Sequence, residues 1–445
     1  MVATRTPAPG SMSRRELLAL AASGFLVPRS RLQVPAAAPD ITLRISEIAH
    51  EIAPKRTVRT LAYNGQVPGP MLRARQGRPI TVEVRNDSKE TDIVHWHGFH
   101  IGPDVDGAYE EGTPGVPPGE SRRYTFVPDP AGTRWYHSHN AAHRDLRRGT
   151  YSGQFGLFVV EGRGDAGAFD REIPILLHEW EPRFDARGEV EYRAFSINGR
   201  LLGAGEPIRV RESERLLFRF VNASATWNHR LALPGHRFRV VALDGNPVPS
   251  PASVPVLDFA PGERIDAIVE MNQPGVWVLG SVKNDERARG LGIVVEYAGR
   301  SGTPQWTPPA AFVWDYTVFG GRDPARDPDG RATLAFKAVG DGHHWAINGK
   351  THPHVDPIAV GAGQRYRLVL DNQSADPHPI HLHRHQFEMV RFDGRPTSGV
   401  IKDTVVVPAW RQVEVDVLDT RRGPSLLHCH QQFHMDMGFM TILNA

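Results

Sequence analysis

The sequence is short of several things, and each shortage removes a class of answer. A single cysteine, Cys429, occurs in 445 residues. No internal disulfide can form, so the fold must rest on its buried cores. Basic and acidic residues nearly cancel, 52 against 50, for a net charge of +2. That balance implies neither nucleic acid nor an anionic membrane as a partner. Methionine is scarce at 8 residues, with no methionine-rich insert. Long helical apolar patterns are few, and no apolar run is long enough to span a membrane. Turn formers are plentiful instead: 43 Gly and 37 Pro beside 40% hydrophobic residues. That mixture favours a turn-rich all-β protein of two or three domains.

The N-terminus places Arg14-Arg15 before the short apolar run LALAASGFLV, followed by Ala36-Ala37-Ala38. This is the layout of a signal peptide, and the paired arginines resemble a twin-arginine signal. Residues 1–39 are expected to be leader. The mature protein is expected to be soluble and exported, to a periplasm or outside the cell.

Beyond the leader, one layout occurs three times. Asn64-Gly65, Asn198-Gly199 and Asn348-Gly349 each precede a run that alternates apolar and charged residues. Asn-Gly suits a tight turn between strands, and the alternation suits half-buried strands. From the Asn to the next motif histidine is 31 residues to His95, 31 to His229 and 30 to His378. The expectation is three consecutive β-sandwiches, at 40–163, 168–300 and 310–445. Linkers are expected near 161–170, rich in Gly, and 299–309, rich in Pro. The last strand of each copy reads WYHSH, VWVLGS and LLHCH. The middle copy thus reads as a spacer or wall, with His178, His229 and His236 as structural or surface residues.

With 21 His in the chain, composition gives roughly one His-x-His pair by chance. Pairs occur at His95/His97, His137/His139, His352/His354, His381/His383, His383/His385 and His428/His430. Four of these sit in apolar, strand-like settings: VHWHG, WYHSH, PIHLH and LLHCH. That excess calls for metal. On a strand, successive side chains face opposite ways. Cys429 then faces one way and His428 and His430 the other, so one strand serves two sites. A thiolate with imidazoles and a weak or absent axial ligand is a blue-copper donor set. His434 lies five residues after Cys429, a second imidazole for that side. The first and third copies supply eight imidazoles, a set for a cluster between two domains.

These four stretches resemble the multicopper oxidases, over about residue 41 to the end. The resemblance implies an all-β fold of three consecutive cupredoxin-like Greek-key β-sandwiches. It implies four copper ions: one type 1, one type 2 and two type 3. Matched by motif, His378, Cys429 and His434 are the type 1 ligands. His95 and His381 are the type 2 ligands, and His97, His137, His139, His383, His428 and His430 the type 3 ligands. Asp106 matches an aspartate near the three-copper cluster and is expected to relay protons to dioxygen. Phe439 stands at the family's axial position, where many relatives have Met; a ring without a lone pair should raise the type 1 potential. The chain has Arg384 where the family often has Gly. His385 is left over and reads as structural, His352 and His354 as a surface loop. His100 and His143 match no ligand position.

The expected reaction is laccase-like. Phenols or aromatic amines give up single electrons, and four such electrons reduce one dioxygen to two waters. The partners are therefore dioxygen and a small organic donor. Met435, Met437 and Met440 read as packing, so cuprous or ferrous oxidation is the alternative. A copper-free cupredoxin-like structural protein is disfavoured, because all eleven ligand positions are filled. Copper nitrite reductase is disfavoured too, having no need of four His-x-His pairs.

Overall fold

The computed structural model describes residues 38–445 except 163–168, 322, 324, 341 and 419. The expected leader and most of the Gly-rich linker lie outside the described residues. The remainder is all-β, arranged as three consecutive two-sheet sandwiches. Each opens with a strand that pairs antiparallel with the second strand and parallel with a later one. These are Ile41–Ala53 with Arg56–Tyr63 and Ile80–Asn86, and Arg171–Phe184 with Val190–Ile197 and Arg215–Asn222. In the third copy they are Gly330–Val339 with His344–Ile347 and Tyr366–Asn372.

The Asn-Gly pairs explain the repeat. Asn64, Asn198 and Asn348 have φ of 53°, 52° and 52°, and the following glycines 72°, 75° and 79°. Two successive positive φ values make the tight turn that Asn-Gly tolerates best. Each Asn amide also bonds the opening strand, for example Asn198 Oδ1 to Leu176 N at 2.9 Å and Nδ2 to Pro174 O at 2.9 Å. A second repeat escapes notice in the sequence: Asn86, Asn222 and Asn372, each followed two residues later by Ser. Each amide is buried and donates to a carbonyl some 30 to 37 residues further on, Val116, Phe259 and Val407 respectively.

Strand pairing corrects one alignment. Ile380 faces Cys429 and Leu231 faces Ser281, while Val94 faces Ser138. Residues two before these are His378, His229 and Asp92. His229 is therefore the counterpart of His378, as the spacing implied, but Asp92 and not His95 stands there in the first copy. Equal spacing misled because the first copy is two residues shorter between its two asparagines, 22 from Asn64 to Asn86 against 24 from Asn198 to Asn222 and from Asn348 to Asn372. His95 corresponds to His381, and each faces a histidine across the sheet, His137 and His428.

The cores join the sandwiches unequally. The first has its own core around Tyr63, Trp96, Phe126 and Phe158. The middle and third share one continuous core, from Ile175 to Leu443, which also takes in Ala142 and Tyr151 of the first. A third cluster, with Trp135, Leu157, Leu176, Trp180 and Val221, closes the seam between first and middle.

Candidate metal centres

The strand Pro424–Cys429 carries the organising motif. On one face Cys429 Sγ lies 3.8 Å from His378 Nδ1 and 3.7 Å from His434 Nδ1. His378 opens the neighbouring strand, His378–Leu382. His434 sits in the one-turn helix Gln432–Asp436 that follows the strand. The other nitrogen of His378, Nε2, is bonded to Ser374 Oγ at 2.8 Å, which leaves Nδ1 to face the thiol. Burial holds the His434 imidazole down to about 3 and pushes the Cys429 thiol up. The imidazoles are therefore neutral and ready to ligate, while the thiol must give up its proton to a metal.

Phe439 is fully buried against this trio, its ring 4.9 Å from His378 and 5.4 Å from Trp345. Met440 faces away, packed with Leu426, Met435 and Ala108. The alternation that divides Cys429 from its flanking histidines thus also divides Phe439 from Met440.

On the opposite face, His428 and His430 meet the first sandwich. His383 Nε2 is 3.1 Å from His428 Nε2, His95 Nε2 is 3.4 Å from His381 Nε2, and His430 Nε2 is 3.3 Å from His97 Nδ1. Rings stack across the seam, His95 on His383 at 3.9 Å and His97 on His381 at 3.8 Å. His139 meets His428 edge-on at 5.2 Å, and His137 lies 5.2 Å from His430. All eight rings are buried. Burial lowers His428 to about 4 and His137, His139, His381 and His430 well below their ordinary value.

The donor sets fit metal ions. The potential ligand atoms of His95, His97 and His137 lie within 4.8 Å of one another, as do those of His139, His383 and His428, and of His378, Cys429 and His434. Metal–imidazole bonds of about 2.0–2.1 Å span such gaps. His137 Nε2 and His139 Nε2 are buried with no protein partner among the described residues. Buried polar atoms without partners are costly, and a metal ion would satisfy both.

Carboxylates orient these rings. Asp106 Oδ2 accepts from His383 Nδ1 at 2.8 Å and lies 3.2 Å from His95 Nδ1, while Asp106 Oδ1 is buried without a hydrogen-bond partner among the described residues. Two residues went unnoticed in the sequence. Glu111 Oε1 accepts from Leu426 N at 2.7 Å and lies 3.6 Å from His383 Nδ1; burial beside Asp106 raises its carboxyl well above the usual range. Asp403 accepts from His97 Nε2 at 3.0 Å, and its main-chain oxygen from His381 Nδ1 at 2.8 Å. The signal for Asp403 was present: Lys402-Asp403 interrupts an otherwise apolar strand run, GVIKDTVVV.

Several of the remaining histidines have structural partners. His385 sits between His383 O and Arg421 N, His178 bonds Ala223 O and His236 bonds Tyr297 Oη. His100 approaches Asp129, and His143 and His354 are exposed. Arg384 has φ of 63°, a left-handed backbone that glycine adopts most cheaply. Its guanidinium offsets that cost by donating to Ile101 O, Ser425 Oγ, Pro424 O and Arg422 O, tying the first sandwich to the third.

Comparison with known proteins gives this geometry its family. Domain descriptions named multicopper oxidase match residues 44–165, 176–296 and 326–444. Multicopper oxidase MmcO of Mycobacterium tuberculosis is 30% identical, over 87% of this chain and 83% of that protein. This chain belongs to the multicopper oxidase family. Laccase-2 of Fomitopsis schrenkii is 26% identical, over 85% of this chain and 84% of that protein. The crystal structure of Lac15, from a marine microbial metagenome, is 27% identical with a TM-score of 0.70, covering 92% of this chain and all of the other. A multicopper oxidase structure from Pseudomonas thermotolerans, 24% identical, shares the fold with a TM-score of 0.74 over 92% of this chain and 100% of that one. As a multicopper oxidase, the chain takes the family's four copper ions and uses dioxygen as acceptor. Its three sandwiches are cupredoxin-like. No helix among the described residues is long and apolar enough to cross a membrane.

Proposed function

We propose that this multicopper oxidase is laccase-like, taking single electrons from phenols or aromatic amines. One observation carries the reading: His434 forms part of the wall of two adjoining clefts, of about 350 and 640 Å³, faced with indole and phenyl rings. Trp345, Trp410 and Phe433 line the first, and Trp227 and Phe433 the second. Among the described residues no methionine lines either cleft, so the wall they form offers no thioether to capture a soft cuprous ion. Trp410 is 66% exposed and held at φ of 59°, a left-handed backbone costing about 1–2 kcal/mol. Its main-chain N–H donates to Ser374 O at 3.1 Å, and Ser374 Oγ holds His378. The indole is thus a stacking surface mounted on the residue that positions His378.

In this reading His378, Cys429 and His434 hold the type 1 copper, and His95 and His381 the type 2. His97, His137, His139, His383, His428 and His430 hold the type 3 pair. Bound copper supplies the one-electron and dioxygen chemistry that side chains lack. The chain supplies the rest. His434 presents its edge to the donor. Cys429 links by a single peptide bond to His428 and another to His430, a covalent path from the donor side to the cluster. His428 Nδ1 also donates to Cys429 O at 2.9 Å, a shorter route across the same peptide. Phe439, buried beside these three residues, keeps water out and has no lone pair to give, which would favour the reduced state of a copper held there. Asp106, bonded to His383 through one oxygen, has the other available to carry the protons that dioxygen reduction consumes.

Ferrous oxidation is the second reading, because Asp185, Glu189, Glu191 and Asp376 rim the same clefts and hard carboxylates suit Fe²⁺. The test is oxygen uptake with a methoxyphenol, an aromatic diamine, ferrous ion and cuprous ion. The phenol or diamine should give the highest kcat/KM; a higher value for either metal ion overturns the laccase-like choice. Trp410→Ala should raise KM for the phenol and leave ferrous oxidation unchanged.

The domain division at 40–163, 168–300 and 310–445 and export through residues 1–39 belong to the same reading. Export rests on Arg14-Arg15, the apolar run after them and Ala36-Ala37-Ala38, and the twin-arginine route on the paired arginines. Replacing both with Lys should leave the precursor in the cytoplasm; undiminished export would rule the twin-arginine route out.

A further inference from the structure

The middle sandwich has no histidine at the four cluster positions, yet its turn 260–264 lies against one of the cluster's rings and reaches a second through one intervening carboxylate. Gly262 has φ of 87°, and a Cβ there would stand 2.7 Å from the His430 ring. The backbone of the middle sandwich therefore forms the wall behind His430, with no room for a side chain. Two residues on, Arg264 reaches Asp403 of the third sandwich. Nη1 meets Oδ1 and Nη2 meets Oδ2 at 2.5 Å each, a two-pronged ion pair with both groups fully buried. Asp403 Oδ1 in turn accepts from His97 Nε2 at 3.0 Å. A carboxylate can only accept, so the proton is on Nε2 and the lone pair on Nδ1. That Nδ1 points at His430 Nε2, 3.3 Å away.

The surroundings fix this contact from the middle sandwich as well. Asp244 accepts the Asp403 and Thr404 N–H groups through Oδ2, both at 3.1 Å, and the Arg264 N–H through Oδ1 at 2.9 Å. Lys402 Nζ lies 3.1 Å from Asp244 Oδ2 and 3.0 Å from Glu263 Oε1. Burying so many charges is expensive unless each is paired, and here each is. His97 and His430, which come from the first and third sandwiches, are thus both set by one turn of the middle one.

We propose that Arg264 and Gly262 are positioning residues for the copper held between His97 and His430. Arg264 acts through Asp403, fixing the tautomer and angle of His97, and Gly262 acts by direct packing on His430. The middle sandwich is then a working wall of the cluster, not a spacer. This inference rests on the copper assignment above.

The test compares wild type with Arg264→Lys, Arg264→Gln and Asp403→Asn. Each purified holoprotein is titrated with a chelator while copper per chain and two spectral signatures are followed. The signatures are the visible band of the Cys429 site and the near-ultraviolet band of a coupled copper pair. Groups that orient a metal-bound histidine are typically worth about 10–100-fold in affinity. Arg264→Gln should lose cluster copper at roughly 10–100-fold lower chelator, with the Cys429 band unchanged. Arg264→Lys, which keeps charge but loses the second prong, should fall between it and wild type. Loss of both signatures in parallel would show a merely structural role and overturn the proposal, as would wild-type retention in Arg264→Gln. Should the Arg264 variants fail to fold, Asp403→Asn reads the same contact from its other end, and wild-type behaviour there overturns the proposal. A wild type without the coupled-pair band would overturn the copper assignment itself, and this inference with it.

Discussion

The middle and third sandwiches share a topology, a core and an Asn-Gly turn, and among their many differences a few paired positions bear on metal. Across one strand pair the third places His381 against His428; the middle places Ala232 against Gly280. On the other face of the same strands the third has His378, Cys429 and His434, and the middle has His229, Ser281 and Glu286. The middle trio is still buried and still bonded. Ser281 Oγ donates to Glu286 at 2.7 Å, His229 Nδ1 lies 3.3 Å from Glu286, and Ser224 stands to His229 as Ser374 does to His378. The scaffold thus keeps a polar trio in both places, and the residue types decide whether it is a metal site or a hydrogen-bonded plug. Hard oxygens and a Lys283 ion pair close the middle trio upon itself; a thiol and two neutral imidazoles leave the third open to a soft metal.

The comparison can be broken from either side. Converting the third sandwich toward the middle, His381→Ala with His428→Gly should empty the histidine cluster and abolish oxygen reduction while the Cys429 absorption persists. Copper analysis and the visible spectrum check this together. Asp106→Asn keeps shape but removes the titratable group. It should slow steady-state oxygen turnover by about 10²-fold or more, with a nearly normal visible band. Turnover and pH profile equal to wild type would make Asp106 a turn residue only.

A pH experiment sharpens the comparison in the copper-free protein. His428 is lowered by burial to about 4 and His434 to about 3, from 6.5 when unfolded. The unfolded chain binds these protons first, so stability is full above about 6.5 and is lost as pH falls towards 4. Each such group removes about 1.4 kcal/mol per pH unit in that window. Thermal melts from pH 7 to 4.5 read the slope, and copper loading should flatten it. Phe439→Met should lower the type 1 potential, because a thioether stabilises the oxidised state. Redox titration reads it, and since Met440 faces the other way, Met440→Leu should leave the potential unchanged.

Much of this was legible in the residues. The single cysteine between two histidines fixes a two-faced strand, because strand alternation is strict. The Asn-Gly turns mark three copies, because few other dipeptides take two positive φ values. The equivalence of His95 with His229 failed, because spacing counts loop residues that pairing ignores. Arg264 and Glu111 were not legible. Each acts on a histidine far away in the chain, and no local pattern encodes a contact that only tertiary packing creates. Asp403 lay between: a charged pair within an apolar strand announces a buried partner without naming it.

The central claim is that one strand holds two separable copper sites, divided by the alternation at Cys429. Cys429→Ser, which gives the third sandwich the residue its middle counterpart carries at Ser281, tests this most directly. Copper per chain and the visible spectrum are measured on wild type and variant. The account predicts four coppers with an intense blue band in the wild type, and three with no blue band in the variant. A variant that keeps the blue band, or that loses all its copper together, would contradict it.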